Sequence, residues 1–125
     1  MQRILAIDDE NICLEQIKLF LEGRYEVEVA ETAKEGLRFL HEEPPFDLVL
    51  LDLMLPDLHG LEVLKKIRYE DKTKSLIVIV QTGLSSGKEM EEALKIGANS
   101  FITKPFKRSE LLDEIKKLLI SADFS

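Results

Sequence analysis

Five side chains able to do chemistry stand at four separate points of the sequence. Asp8 and Asp9 follow the apolar run 4–7, Asp52 follows 48–51, Thr82 closely follows 76–80, and Lys104 follows 100–103. Any one acid in such a place reads as a helix N-cap or a turn residue. A lone Thr-Gly or Lys-Pro after a strand carries no message. The constellation does. If the first and third runs are neighbouring strands, three carboxylates converge, and carboxylates brought together favour protonation or a counter-charge. A divalent cation resolves that conflict, and Mg2+ takes oxygen ligands, usually one or two carboxylates with several waters. A lysine and a hydroxyl at the same edge can grip an anion. The set describes a place where a metal-bound phosphoryl group could sit on a carboxylate.

Convergence depends on the elements between. Cys13, Ile17 and Phe20 recur at helical spacing over 11–22, and Gly23 suits a C-cap. Tyr25, Val27 and Val29 alternate with Glu26 and Glu28, as in a strand with one wet side near a sheet edge. Thr32-x-x-Glu35 is a capping box, with Ala33, Leu37 and Leu40 as an apolar stripe behind it, and Pro44-Pro45 ends that helix. A third strand covers 47–51 and a helix 60–68, with Leu61, Leu64 and Arg68 on one side and Val63 and Ile67 adjoining. Residues 76–80 form a central strand. Ser86-x-x-Glu89 is a second capping box, for a helix carrying Met90, Ala93 and Leu94 up to Gly97. A fifth strand covers 100–103, and a last helix carries Leu111, Leu112, Ile115, Leu118 and Leu119.

Five strands thus alternate with five helices. Several strands are continuously apolar, which fits a parallel sheet covered by helices on both faces. The fold class is a doubly wound α/β domain, whose crevice lies at the carboxyl ends of the strands. At 125 residues, 45% of them hydrophobic, the chain suffices for one domain with a real core. Its net charge of −7 argues against binding a nucleic-acid backbone and fits a cationic cofactor or partner. The single cysteine, Cys13, cannot form an internal disulfide and reads as core. No basic segment precedes an apolar one and no apolar run approaches spanning length, so a cytoplasmic protein without membrane contact is expected.

From "ILAIDDE" through "LVLLDLMLPDLHG" and "VIVQTG" to "ALKIGANSFITKPF", the chain resembles the receiver domain of bacterial two-component response regulators, the CheY-like superfamily. The resemblance implies a single receiver domain over 1–125, a flavodoxin-like strand order 2-1-3-4-5, and a signalling switch in a phosphorelay rather than an enzyme. Asp52 would accept a phosphoryl group from a phosphohistidine of a histidine kinase or histidine phosphotransfer protein. Mg2+, with Mn2+ as a substitute, would be held by Asp9 directly, Asp8 through water, Asp52, and the backbone carbonyl of Met54. Thr82 would hydrogen-bond one phosphoryl oxygen and Lys104 pair with another, with the Lys104–Pro105 peptide cis as is usual in the family. Phe101 falls at the switch aromatic position. There Thr82 moves toward the phosphoryl group, Phe101 fills the space it leaves, and the face around the fourth helix and fifth strand changes for a downstream target protein or output domain. The exposed Lys88, Glu91, Glu92 and Lys95 on that helix read as an ordinary solvated face.

The departures from the family pattern carry expectations of their own. Leu55 and His59 stand where methionine and Asp or Asn are usual. His59 is expected to cap its helix less well and not to bind metal, and His41 to be an exposed helix-end residue. Phe101 replaces a tyrosine, which leaves its rotamer to packing alone. Met54 and Leu84 flank the site; both are apolar and cannot orient an attacking water, so slow self-dephosphorylation is expected. Two other readings stand beside this one. The chain could be a receiver cut from a larger regulator with a separate output domain. It could also be a Mg2+-dependent aspartyl-phosphate phosphohydrolase, but haloacid dehalogenase-like enzymes carry Asp-x-Asp after the first strand, where this chain has Asp8-Asp9-Glu10. A nucleotide switch lacks its G-x-x-x-x-G-K-[ST] loop.

Overall fold

A computed structural model describes residues 1–42, 45–83 and 87–123. The apolar runs become strands because each of their two side-chain rows finds a helical layer to bury against. The strands are β1 (Arg3–Ile7), β2 (Glu26–Ala30), β3 (Leu48–Asp52), β4 (Ile77–Thr82) and β5 (Ser100–Thr103). The helices are α1 (Asn11–Leu21), α2 (Ala33–Leu40), α3 (Gly60–Tyr69), α4 (Gly87–Ile96) and α5 (Arg108–Asp123). All strand pairs are parallel, in the order β2-β1-β3-β4-β5.

Period-2 alternation divides the core in two. Leu5, Ile7, Val49, Leu51, Val78 and Val80 pack with residues of α2, α3 and α4. Ile4, Ala6, Leu48, Leu50, Ile77 and Ile79 pack with residues of α1 and α5. Every residue of β3 and β4 is buried, whereas β2, at the sheet edge, leaves Glu26 and Glu28 in water. Each fully buried Leu or Ile contributes about 1.5–3 kcal/mol relative to an exposed one. That sum can offset the desolvation of a few charges at the strand ends.

The expected elements are present, with shifted ends. β3 and β4 run past their apolar residues through Asp52, Gln81 and Thr82, because the backbone ladder continues (Asp52 pairs with Gln81) whatever the side chains are. α2 stops at Leu40 with His41 as C-cap, short of the proline pair, of which Pro44 lies outside the described residues. The α2 capping box forms, with Thr32 Oγ1 accepting from Glu35 N at 3.1 Å, but Glu35 Oε1 reaches the amide of Glu31 rather than that of Thr32. Gly23 takes φ +80 just after α1, a left-handed conformation that suits glycine. Ser86 and Leu84 lie outside the described residues. Cys13 is half-buried at the edge of the α1–α5 cluster rather than in its core.

Candidate functional site

In a parallel sheet every carboxyl end lies on one edge, and here the register fixes what meets there. Ile7 pairs with Leu51, so Asp8 comes level with Asp52. Thr82 and Thr103 pair in turn, and Lys104, donating its amide to Thr82 O at 2.8 Å, follows β5 through a cis bond to Pro105. Lys104 Nζ reaches Asp8 Oδ2 at 2.8 Å, Glu10 Oε1 at 3.1 Å and Asp52 Oδ2 at 3.3 Å. Asp8 is 0% and Asp52 3% exposed. Asp8 also accepts the Glu10 amide on Oδ1 (2.9 Å) and Gln81 Nε2 on Oδ2 (3.3 Å), while Asp52 Oδ1 accepts the Met54 amide (3.2 Å).

The two buried carboxyls differ in charge preference. Burial opposes ionisation of Asp8, but hydrogen bonds from Lys104, the Glu10 amide and Cys13 outweigh it and hold the group below its ordinary range. Burial pushes Asp52 up to about 6; the Met54 amide works against this, and the charge on Asp8 adds to it. Burial works against the Lys104 charge too, but Asp8, Asp52 and Glu10 together raise that ammonium above its ordinary value. Burial, with Asp8 beside it, pushes the Cys13 thiol up to about 12, so it stays protonated and unreactive at neutral pH.

One oxygen each of Asp8, Glu10 and Asp52 lies within 4.8 Å of the others, a hard-oxygen set that fits a small divalent cation. Asp9 is exposed and outside this group; among the described residues the third carboxylate is Glu10. The turn closed by Glu10 N on Asp8 Oδ1 puts the two acids together. Glu10 is the N-cap residue of α1, yet its side chain makes no capping bond and reaches Lys104 instead. Thr82 is almost buried at the end of β4, Phe101 stands 41% exposed on β5, and Met54 and Pro105 are exposed beside the site. The sequence reading missed Glu10 and Gln81. The third acid of Asp8-Asp9-Glu10 and the amide interrupting "VIVQT" were the available signals.

The loop after Asp52 is pinned at several points. Asp57 Oδ1 and Oδ2 accept the amides of Ala33 and Lys34 (2.9 and 3.0 Å), so the loop itself caps α2, and these bonds hold Asp57 below the usual carboxylate range. His59 does cap α3, its Nδ1 accepting Leu61 N at 3.1 Å, and its Nε2 lies 3.3 Å from Glu89 Oε2 on α4. His41 ends α2 half-exposed, 3.4 Å from Glu70. Leu55 packs against the core. Gly60 N donates to Leu53 O at 2.7 Å, and a Cβ at residue 60 would meet the Leu53 Cα and lie 2.5 Å from Asp52 O. Gly60→Ala must therefore push the loop off the strand end. It is expected to destabilise by about 2 kcal/mol, read as a lower urea midpoint; an unchanged midpoint would show that the loop yields freely.

The response regulator receiver domain family matches residues 4–116. Response regulator ArlR of Staphylococcus saprophyticus subsp. saprophyticus is 38% identical over 120 residues, which cover 95% of this chain and 53% of that protein. The DNA-binding dual master transcriptional regulator RpaA of a Synechocystis strain is 32% identical over 98% of this chain and 51% of its own length. The chain therefore spans about half the length of these relatives. Among solved structures, a CheY-like receiver domain protein of Methanospirillum hungatei JF-1 shares 37% identity at a TM-score of 0.90, covering 98% of this chain and 97% of that one. A receiver domain of Clostridium thermocellum shares 32% at 0.91, covering 99% and 98%. Among the described residues no helix is long and apolar enough to cross a membrane. Sheet order, acid cluster and these likenesses agree: the chain belongs to the response regulator receiver domain family, a phosphoacceptor signalling fold and not a classical enzyme.

Proposed function

We propose that the chain, a single receiver domain over 1–125, is a cytoplasmic switch in a two-component phosphorelay, with Asp52 as phosphoacceptor. The observation that carries this reading is one ammonium, Lys104, held within reach of two buried carboxylates at the carboxyl edge of the sheet. An Asp52 carboxylate oxygen attacks the phosphorus of a phosphohistidine on a histidine kinase or phosphotransfer protein. The P–N bond breaks, its electron pair stays on the imidazole, and the donor histidine takes up a proton. Asp52 must be ionised to attack, and Lys104 favours that form. Mg2+ or Mn2+, held by Asp52, the Met54 carbonyl and one acid of the Asp9-Glu10 pair, with Asp8 acting through water, would supply positive charge that offsets charge on the transferring oxygens. Lys104 then pairs with one phosphoryl oxygen and the Thr82 hydroxyl with another. Thr82 is drawn inward and Phe101, now exposed, follows it, which changes the α4–β5 face read by a target protein or an output domain. The longer relatives, about half of whose length this chain spans, support an output domain as a reader. With a net charge of −7, this domain is expected to make no direct contact with nucleic acid.

The test is incubation with Mg2+ and acetyl phosphate followed by intact mass. A single labile phosphoryl adduct, absent in Asp52→Asn, is expected. No adduct where a control receiver reacts would overturn the proposal. The chain assists its own dephosphorylation only weakly, because Met54 and Leu84 offer an attacking water no hydrogen bond. Met54→Asn should therefore shorten the adduct's lifetime several-fold; an unchanged decay rate would remove Met54 from the account.

A further inference from the structure

Gln81 lies on β4 between two residues of the proposed chemistry: it pairs in register with Asp52 and precedes Thr82. Alternation along β4 turns it to the face of Ile77 and Ile79, toward α1 and α5, where it is 0% exposed. Its amide nitrogen, not its oxygen, must face Asp8, because a carboxylate has only acceptors to offer. Nε2 lies 3.3 Å from Asp8 Oδ2. Its oxygen, Oε1, is the buried side-chain polar atom that lacks a hydrogen-bond partner among the described residues. Leucine or methionine would fill this place without an unpaired acceptor, and an unpaired buried acceptor is unfavourable. Packing therefore does not account for the glutamine. What its nitrogen does for Asp8 can.

The load on Lys104 shows what that is. An ammonium has three N–H donors, and here three carboxylates take them: Asp8, Glu10 and Asp52. A phosphoryl group on Asp52 can take over the N–H now given to that carboxylate, but it offers Lys104 more acceptor oxygens than one, and each further bond to it draws an N–H from Asp8 or Glu10. Glu10, with its side chain 66% exposed, can exchange the ammonium for water. Asp8, at 0%, has no water to take instead and needs a protein donor for any N–H that Lys104 withdraws. We propose that Gln81 is a positioning residue of the phosphotransfer site: its side-chain amide keeps Asp8 Oδ2 partnered and oriented while Lys104 turns from Asp8 to the phosphoryl group. This rests on the Asp52 reading above.

The test compares native protein and Gln81→Met as the full chain. Three quantities are read: metal-free melting temperature, Mg2+ dissociation constant by titration calorimetry, and phosphorylation rate with acetyl phosphate at saturating Mg2+. Loss of a partner that orients a ligand commonly weakens metal binding or activity by about 10-fold or more. The rate and the Mg2+ affinity are expected to fall on the order of 10-fold, with no drop in melting temperature because the unpaired Oε1 is gone. A purely structural glutamine predicts the reverse, a lower melting temperature with chemistry intact, and that result would overturn the proposal. A second readout needs no variant. The Gln81 side-chain 15N–1H signals should exchange slowly with solvent and stay protected in the beryllofluoride complex; fast exchange there would also overturn it. If the native protein forms an adduct and the variant matches it within roughly twofold, only this inference fails. If the native protein forms none, the Asp52 reading fails and this falls with it.

Discussion

Lys104→Met should destabilise the metal-free protein by about 3–5 kcal/mol at pH 7, the range seen when one partner of a buried ion pair is removed. Lys104 is itself only 13% exposed and is the cation that Asp8 and Asp52 share. Without it, two carboxylates with almost no access to water face each other across neighbouring strands. The sign follows from its raised pKa. A cation whose folded-state value is raised contributes stability that is complete below its unfolded value, so at pH 7 the whole contribution is present and is lost on mutation. Acid should shrink the deficit as the carboxylates take up protons, and Mg2+ should shrink it by binding the folded site. Urea denaturation in chelator at several pH values measures this. A loss below about 1 kcal/mol, independent of pH, would class these contacts with ordinary surface ion pairs.

Asp52→Asn should act in the opposite direction. A carboxyl raised from 3.8 to about 6 disfavours its charged form by roughly 3 kcal/mol. The folded state binds the proton more tightly than the unfolded one, so native stability falls as pH rises from about 4 to about 6. Asparagine keeps the shape, removes the charge and relieves Asp8. The variant should be more stable than native metal-free protein by about 3 kcal/mol above pH 6, and the difference should vanish below pH 4. Melting curves across that range decide the matter. A variant that melts lower at pH 7, or an advantage that persists at pH 4, would contradict the clustered-carboxylate account.

The fold was legible because burial leaves a one-dimensional trace. Continuous runs marked β3 and β4, alternation marked β2 as an edge, and 100–103 matched β5 residue for residue. The ends of β3 and β4 were less legible because the ladder is made by backbone, and Asp52, Gln81 and Thr82 continue it without an apolar side chain. Asp8, Asp52 and Lys104 could be grouped in advance, since parallel strands must bring their carboxyl ends together. Glu10 could not, because its place depends on a turn closed by its own amide on Asp8. Gln81 reaches Asp8 across the intervening β3, 73 residues away in sequence, and no spacing rule encodes that. Asp57 caps a helix 24 residues back, out of reach of any local capping pattern. His59 caps α3 through a ring nitrogen, outside the usual set of capping side chains.

Everything proposed for this site depends on the phosphoryl group going to Asp52. Reducing the acetyl phosphate-treated protein with borohydride converts an aspartyl phosphate to homoserine, and peptide mass spectrometry locates it. Homoserine is expected at position 52 and at no other acid, with none formed when Mg2+ is withheld. Homoserine at position 8, 9 or 10, or none in a sample that carries the adduct by intact mass, would contradict it.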